Sequence, residues 1–141
     1  MYLAQIAPGS DVDSPAILVV DDDEDSRRIL MYGLGSAGYR VFFAENGAAA
    51  VELCRVVLPS LVIMDLAMPE MDGYAATRAL KADERTRDVP VIAWSARVFA
   101  GDNSELLDAG FDEVLPKPSV PADVIEAVRR FVPPTPAPRG D

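Results

Sequence analysis

Leu61-Val62-Ile63-Met64-Asp65-Leu66-Ala67-Met68-Pro69-Glu70-Met71-Asp72-Gly73 is the stretch whose reading decides the fold. Four apolar residues run straight into one carboxylate, and a turn rich in Pro, Asp and Gly follows. A short continuous apolar run bounded by turn residues is the pattern of a strand buried on both faces, as in a parallel sheet. Asp65 then stands where the strand surfaces, at its carboxyl end. In open α/β sheets, ligands bind in the crevice outside those ends.

Working outward, the same pattern recurs. Residues 17–20 form a short apolar strand that ends in Asp21-Asp22-Asp23-Glu24-Asp25. Residues 26–37 carry Ile29, Leu30, Leu34 and Ala37 at helical spacing and close on Gly38. Residues 40–44 read as the second strand, Asn46-Gly47 as a turn, and residues 48–57 as an alanine-rich helix stopped by Pro59. After the opening stretch, a helix runs from Asp72 or Gly73 to Ala82, with Arg78 and Lys81 near its C-terminal end, as the macrodipole prefers. Residues 89–94 are a fourth strand ending at Ser95, and residues 102–109 a short polar helix stopped by Gly110. Residues 113–115 are a fifth strand ending at Pro116-Lys117-Pro118. The last helix, residues 121–132, repeats Val124, Ile125, Val128, Phe131 and Val132 on one face. Strand and helix thus alternate five times, which means a parallel sheet covered by helices on both faces through right-handed crossovers. Residues 1–15 read as a flexible arm, 16–132 as one domain, and 133–141 as a Pro-rich tail.

Composition removes several classes of function. The formal charge is 13 − 23 = −10, which opposes a nucleic-acid-binding face, since that needs clustered Lys and Arg. No apolar run approaches the roughly 20 residues of a membrane span, and no signal-peptide pattern opens the chain. The single cysteine, Cys54, excludes an internal disulfide and fits a reducing, cytoplasmic setting. Its apolar helical surroundings make it a core filler. There is no histidine, so His-based triads and zinc–histidine sites are excluded.

The remaining chemistry lies at the strand ends. Asp21 and Asp22 follow the first strand, Asp65 the third, Ser95 the fourth and Lys117 the fifth. Parallel strands share one carboxyl edge, so these groups converge. Three carboxylates gathered there repel one another unless a cation joins them, and an all-oxygen donor set suits Mg²⁺. A hydroxyl and an ammonium beside such a site are the parts that hold a transferring phosphoryl group, and an aspartate can be the nucleophile. The residues read as an Mg²⁺-dependent aspartyl-phosphate site.

Leu18-Val19-Val20-Asp21-Asp22, Met64-Asp65-Leu66-Ala67-Met68-Pro69-Glu70-Met71-Asp72-Gly73, Ser95-Ala96 and Lys117-Pro118 together resemble the receiver domain of two-component response regulators, over about residues 16–132. The resemblance implies a flavodoxin-like sandwich with five parallel strands in order 2-1-3-4-5 and five helices. It implies that Asp65 is the phosphoacceptor, and that Asp22, Asp65 and the Ala67 carbonyl ligate Mg²⁺, with Asp21 acting through a metal-bound water. Lys117 would pair with Asp65 and then with the phosphoryl oxygens. Ser95 would be the switch residue, Ala96 would leave the phosphoryl group room, and the Lys117–Pro118 bond would be cis. The implied partners are a histidine kinase or histidine phosphotransfer protein as donor and a downstream protein target, with no nucleic acid and no membrane. One departure stands out: the family usually has an aromatic residue three positions before the Lys, and here that switch position is Val114. With no output domain legible in the sequence, the chain reads as a stand-alone regulator or a phosphorelay intermediate rather than a turnover enzyme.

Other readings attach to the same residues. Asp23 and Glu24 read as a solvated helix start, and Asp72-Gly73 as turn and cap chemistry. Trp94 alternates with Ser95 and reads as core on the opposite face of the sheet. Arg27 and Arg28 read as solvated charges or, by the resemblance, as part of the donor-docking surface. The competing functions are a receiver-like scaffold that is never phosphorylated and a haloacid-dehalogenase-type phosphatase using Asp21 and Asp23.

Overall fold

The computed structural model describes residues 14–68, 71–96, 104–117 and 120–134. Strands β1 (Ala16–Val20), β2 (Arg40–Ala44), β3 (Leu61–Met64), β4 (Val91–Ser95) and β5 (Glu113–Pro116) form one sheet. All pairings are parallel and the spatial order is β2-β1-β3-β4-β5. Helices α1 (Glu24–Ser36), α2 (Gly47–Val57), α3 (Gly73–Ala82), α4 (Ser104–Ala109) and α5 (Pro121–Phe131) fill the connections. This is the flavodoxin-like sandwich that the alternation and the resemblance lead one to expect.

The period of two along each strand divides the interior into two cores. Ile17, Val19, Ile63, Ile92 and Trp94 pack with Leu30 and Leu34 of α1 and with Val124 and Val128 of α5. Leu18, Val20, Val62, Met64, Val91 and Ala93 pack on the other face with Cys54 of α2, Leu80 of α3 and Leu106 of α4. Cys54 is buried, and burial pushes its thiol up to about 12, which suits the core-filler reading.

Element ends differ from the sequence reading where local chemistry decides them. The first helix begins at Glu24, two residues earlier than expected, because Glu24 and Asp25 sit favourably in its first turn. Asn46 caps α2 instead of merely turning the chain, its side-chain oxygen accepting from the Ala49 amide at 2.8 Å. Asp72 caps α3 in the same way, accepting from the Ala75 amide at 2.9 Å. Leu58, with φ of 51°, ends α2 in the left-handed region just before Pro59. β4 begins at Val91, since Pro90 has no N–H to donate, although its carbonyl accepts from the Val62 amide at 2.9 Å. At the arm, the Ser14 carbonyl accepts from the Arg40 Nε at 2.8 Å and the Pro15 carbonyl from the Arg40 amide at 3.0 Å. The rest of the arm, Pro69-Glu70, the first residues of the expected fourth helix, Pro118 with its expected cis bond, and the tail from residue 135 lie outside the described residues. No described helix is long and apolar enough to cross a membrane.

Candidate functional site

Backbone hydrogen bonds carry the sheet one residue past its strands and fix the polar residues at one edge. The Asp21 amide donates to the Ala44 carbonyl at 3.1 Å and the Asp65 amide to the Val20 carbonyl at 2.9 Å. The Lys117 amide donates to the Ser95 carbonyl at 3.1 Å. Asp21, Asp22 and Asp65 consequently bring one carboxylate oxygen each within 4.8 Å of one another. Asp21 and Asp65 are buried and Asp22 is exposed.

Each buried carboxylate has one oxygen already engaged by backbone. Asp21 Oδ1 accepts from the Asp23 amide at 2.9 Å, and Asp65 Oδ1 from the Leu66 amide at 2.8 Å. The other oxygens face Lys117. Its Nζ donates to Asp21 Oδ2 at 2.5 Å and stands 3.8 Å from Asp65 Oδ2. The sequence reading paired Lys117 with Asp65, but the closer partner is Asp21. Ser26 explains the bias: its Oγ accepts from Lys117 Nζ at 3.3 Å and donates to Asp23 Oδ2 at 2.8 Å, drawing the ammonium toward α1. The Ser26 hydrogen bond also holds the Asp23 carboxyl below its ordinary value.

The backbone behind Asp65 is closely packed. The Gly73 amide donates to the Leu66 carbonyl at 3.0 Å, and a Cβ on Gly73 would lie 2.1 Å from the Asp65 carbonyl oxygen. Gly73, beyond the turn that leaves Asp65, therefore lies back against it. Ser95 is fully buried at the end of β4, while Ala96 beyond it is exposed. Val114 is half-buried, lies opposite Ala93 and packs on the α2–α4 side of the sheet. Ala67 is half-buried two residues beyond Asp65.

Three residues have a place here that the sequence reading missed. Ser26 is one. Arg27, read as a solvated charge, is only 12% exposed in its side chain. It donates to the Asp21 carbonyl at 2.8 Å and lies 5.3 Å from the centre of the Phe43 ring. Arg28 is the exposed member of the pair, bonded to Glu24 one turn away at 2.8 Å. Trp94 is the third: it is core, as expected, but the Lys117 ammonium lies 4.6 Å from its ring centre. The sequence held the signal. Trp94 pairs with Leu115, and Lys117 follows Leu115 at the strand period, on the same face.

Burial raises the Asp21 carboxyl above the usual 3.8, against the lowering pull of Lys117 and of the Asp23 amide, with the Asp65 charge adding to the rise. A raised value means that folding favours the protonated acid. Asp21 therefore adds stability below the ordinary value of 3.8, and that contribution is lost as pH rises through its raised folded value. In metal-free buffer, Asp21→Asn should accordingly gain melting temperature relative to wild type as pH rises from about 4 to about 7. A difference that stays flat or narrows would show that Lys117 outweighs desolvation.

The donor set fits a hard divalent cation: three acidic side chains offer oxygen alone, with no softer nitrogen or sulfur ligand in the cluster.

Comparison with known proteins agrees with this geometry. Residues 17–129 match the family model of the response regulator receiver domain. The transcriptional regulatory protein PrrA of Mycobacterium leprae is 39% identical over 121 residues, covering 86% of this chain and 51% of PrrA. The chain thus spans about half the length of that relative. The polar-differentiation response regulator DivK of Brucella anthropi is 29% identical over 117 residues, covering 83% of this chain and 95% of DivK. Among solved structures, the receiver domain of the sensor histidine kinase PA1611 from Pseudomonas aeruginosa PAO1 is 34% identical with a TM-score of 0.76. It covers 83% of this chain and 96% of its own, and was solved with a magnesium ion coordinated in its active site cleft.

Proposed function

The chain belongs to the response regulator receiver domain family, and on that premise we propose that it accepts a phosphoryl group on Asp65 from a phosphohistidine of a partner protein. The observation that carries this reading is the convergence of Asp21, Asp22 and Asp65 within 4.8 Å, with Lys117 between the two buried carboxylates. Asp65 attacks phosphorus, the P–N bond to the donor imidazole breaks, and the imidazole leaves with the bonding pair and takes up a proton. An acyl phosphate on Asp65 results, and water later hydrolyses it.

Asp22, Asp65 and the Ala67 carbonyl would hold Mg²⁺, with Asp21 behind them. Bound there, the ion supplies positive charge for the phosphoryl oxygens. Lys117 moves from Asp21 the short distance toward Asp65 and donates to a phosphoryl oxygen, as a charge-assisted hydrogen bond of the stronger kind. Ser95 donates its hydroxyl to the same group, and the methyl of Ala96 leaves it space. Such a change shifts a pre-existing conformational equilibrium, which a downstream protein reads by contact. With Val114 in the usual aromatic position there is no ring to swing, so Ser95 carries the local step.

Intact mass spectrometry after incubation with acetyl phosphate tests the reading. With Mg²⁺ the mass should rise by one phosphoryl group, and with a chelator it should not. No gain in protein shown to bind Mg²⁺ would favour the unphosphorylated scaffold.

A further inference from the structure

We infer that Trp94 is a positioning residue for Lys117, its ring face holding the ammonium where it can serve both Asp21 and Asp65. The inference rests on the phosphoacceptor reading of the site and adds a residue to it. Lys117 Nζ lies 4.6 Å from the Trp94 ring centre, 2.5 Å from Asp21 Oδ2 and 3.8 Å from Asp65 Oδ2. Trp94 itself is 5% exposed, so the contact is shielded from water. A cation over the face of an indole is attracted by the ring quadrupole, more so when desolvated.

The chain around Trp94 suits this role. The ring belongs to the core formed with α1 and α5, so packing fixes its plane. Among the described residues its Nε1 has no hydrogen-bond partner, so no acceptor sets the orientation of the ring; packing does. Lysine carries four methylenes and much rotamer freedom, and an ammonium needed at two carboxylates gains from a surface that limits it. Ser26 Oγ, at 3.3 Å from Nζ, closes the far side. The three contacts, from ring, hydroxyl and Asp21, define a resting station one short step from Asp65.

The test compares Trp94→Leu with Trp94→Phe, because phenylalanine keeps a ring face and leucine does not. By proton NMR, the Lys117 ε-methylene should be shifted upfield by ring current in wild type, largely so in Trp94→Phe, and not in Trp94→Leu. At saturating Mg²⁺, the rate of phosphoryl uptake from acetyl phosphate should fall about fivefold in Trp94→Leu, and stay within about twofold of wild type in Trp94→Phe. Melting temperatures separate this from plain loss of packing, which would slow both variants in step with their stability. Equal rates in Trp94→Leu and wild type would overturn the positioning role, as would rates that merely track stability. Absence of the upfield shift in wild type would overturn the placement itself. If wild type takes up no phosphoryl group, the proposed function fails, and the ring-current shift still decides whether Trp94 holds Lys117.

Discussion

Asp65→Asn is expected to abolish phosphoryl uptake, by at least about a thousandfold, well inside the loss of about 10⁶ that removal of an enzymatic nucleophile can bring. Asparagine keeps the shape of the side chain, and its carbonyl oxygen can still accept from the Leu66 amide that now bonds Asp65 Oδ1 at 2.8 Å. It loses the proposed nucleophile, one of the three carboxyl groups gathered within 4.8 Å. The fold should survive, since removing one of several crowded carboxylates relieves repulsion. Intact mass, read beside circular dichroism, checks both halves of the expectation. A phosphoryl gain that persists in the folded variant would sink Asp65 as acceptor. A gain mapped to Asp21 would then support the phosphatase alternative.

Gly73→Ala should be severely damaging for so conservative a change. Its new Cβ would meet the Asp65 carbonyl oxygen at 2.1 Å and both the Asp65 carbonyl carbon and Leu66 Cα at 3.0 Å. All three are backbone atoms, which cannot rotate aside as a flexible side chain can. The cost should therefore reach the upper end of the overpacking range, about 3 kcal/mol. Whatever gives way is the segment that carries Asp65, the proposed acceptor, so uptake should fall together with stability. Urea denaturation with an unchanged m-value, alongside the mass assay, measures the two effects. A loss under about 1 kcal/mol with normal uptake would show that the loop after β3 has room that the close approach denies.

The sheet order and the convergence of Asp21, Asp22, Asp65, Ser95 and Lys117 at one edge were legible because each strand is a short apolar run ending in a polar residue. Period and chain order were enough to place those residues. What period could not supply was the choice among neighbours at that edge. Lys117 lies closer to Asp21 than to Asp65 because Ser26, on the first turns of α1, holds it there. That depends on how far α1 extends, and its start at Glu24 lies two residues before the apolar period becomes visible at Ser26. The burial of Arg27 is hidden for a related reason. A charged residue on a short amphipathic helix is usually solvated, whereas here the Asp21 carbonyl and the Phe43 ring enclose it. The period of two puts Trp94 on the correct face, whereas the register that brings Leu115 beside it and Lys117 above it depends on strand pairing across the sheet.

The pleat of the sheet has a consequence for how information crosses this molecule. Trp94, whose ring faces Lys117, and its strand partner Leu115 belong to the α1–α5 face, whereas Ala93 and Val114, which precede them in sequence, belong to the α2–α4 face. Ser95 alternates with Trp94 and so faces the second side. On the proposed function, a mark written on Asp65 from the first side would be read on the second, through the Ser95 hydroxyl. The sheet is then a partition, and in that reading Ser95 is its keyhole.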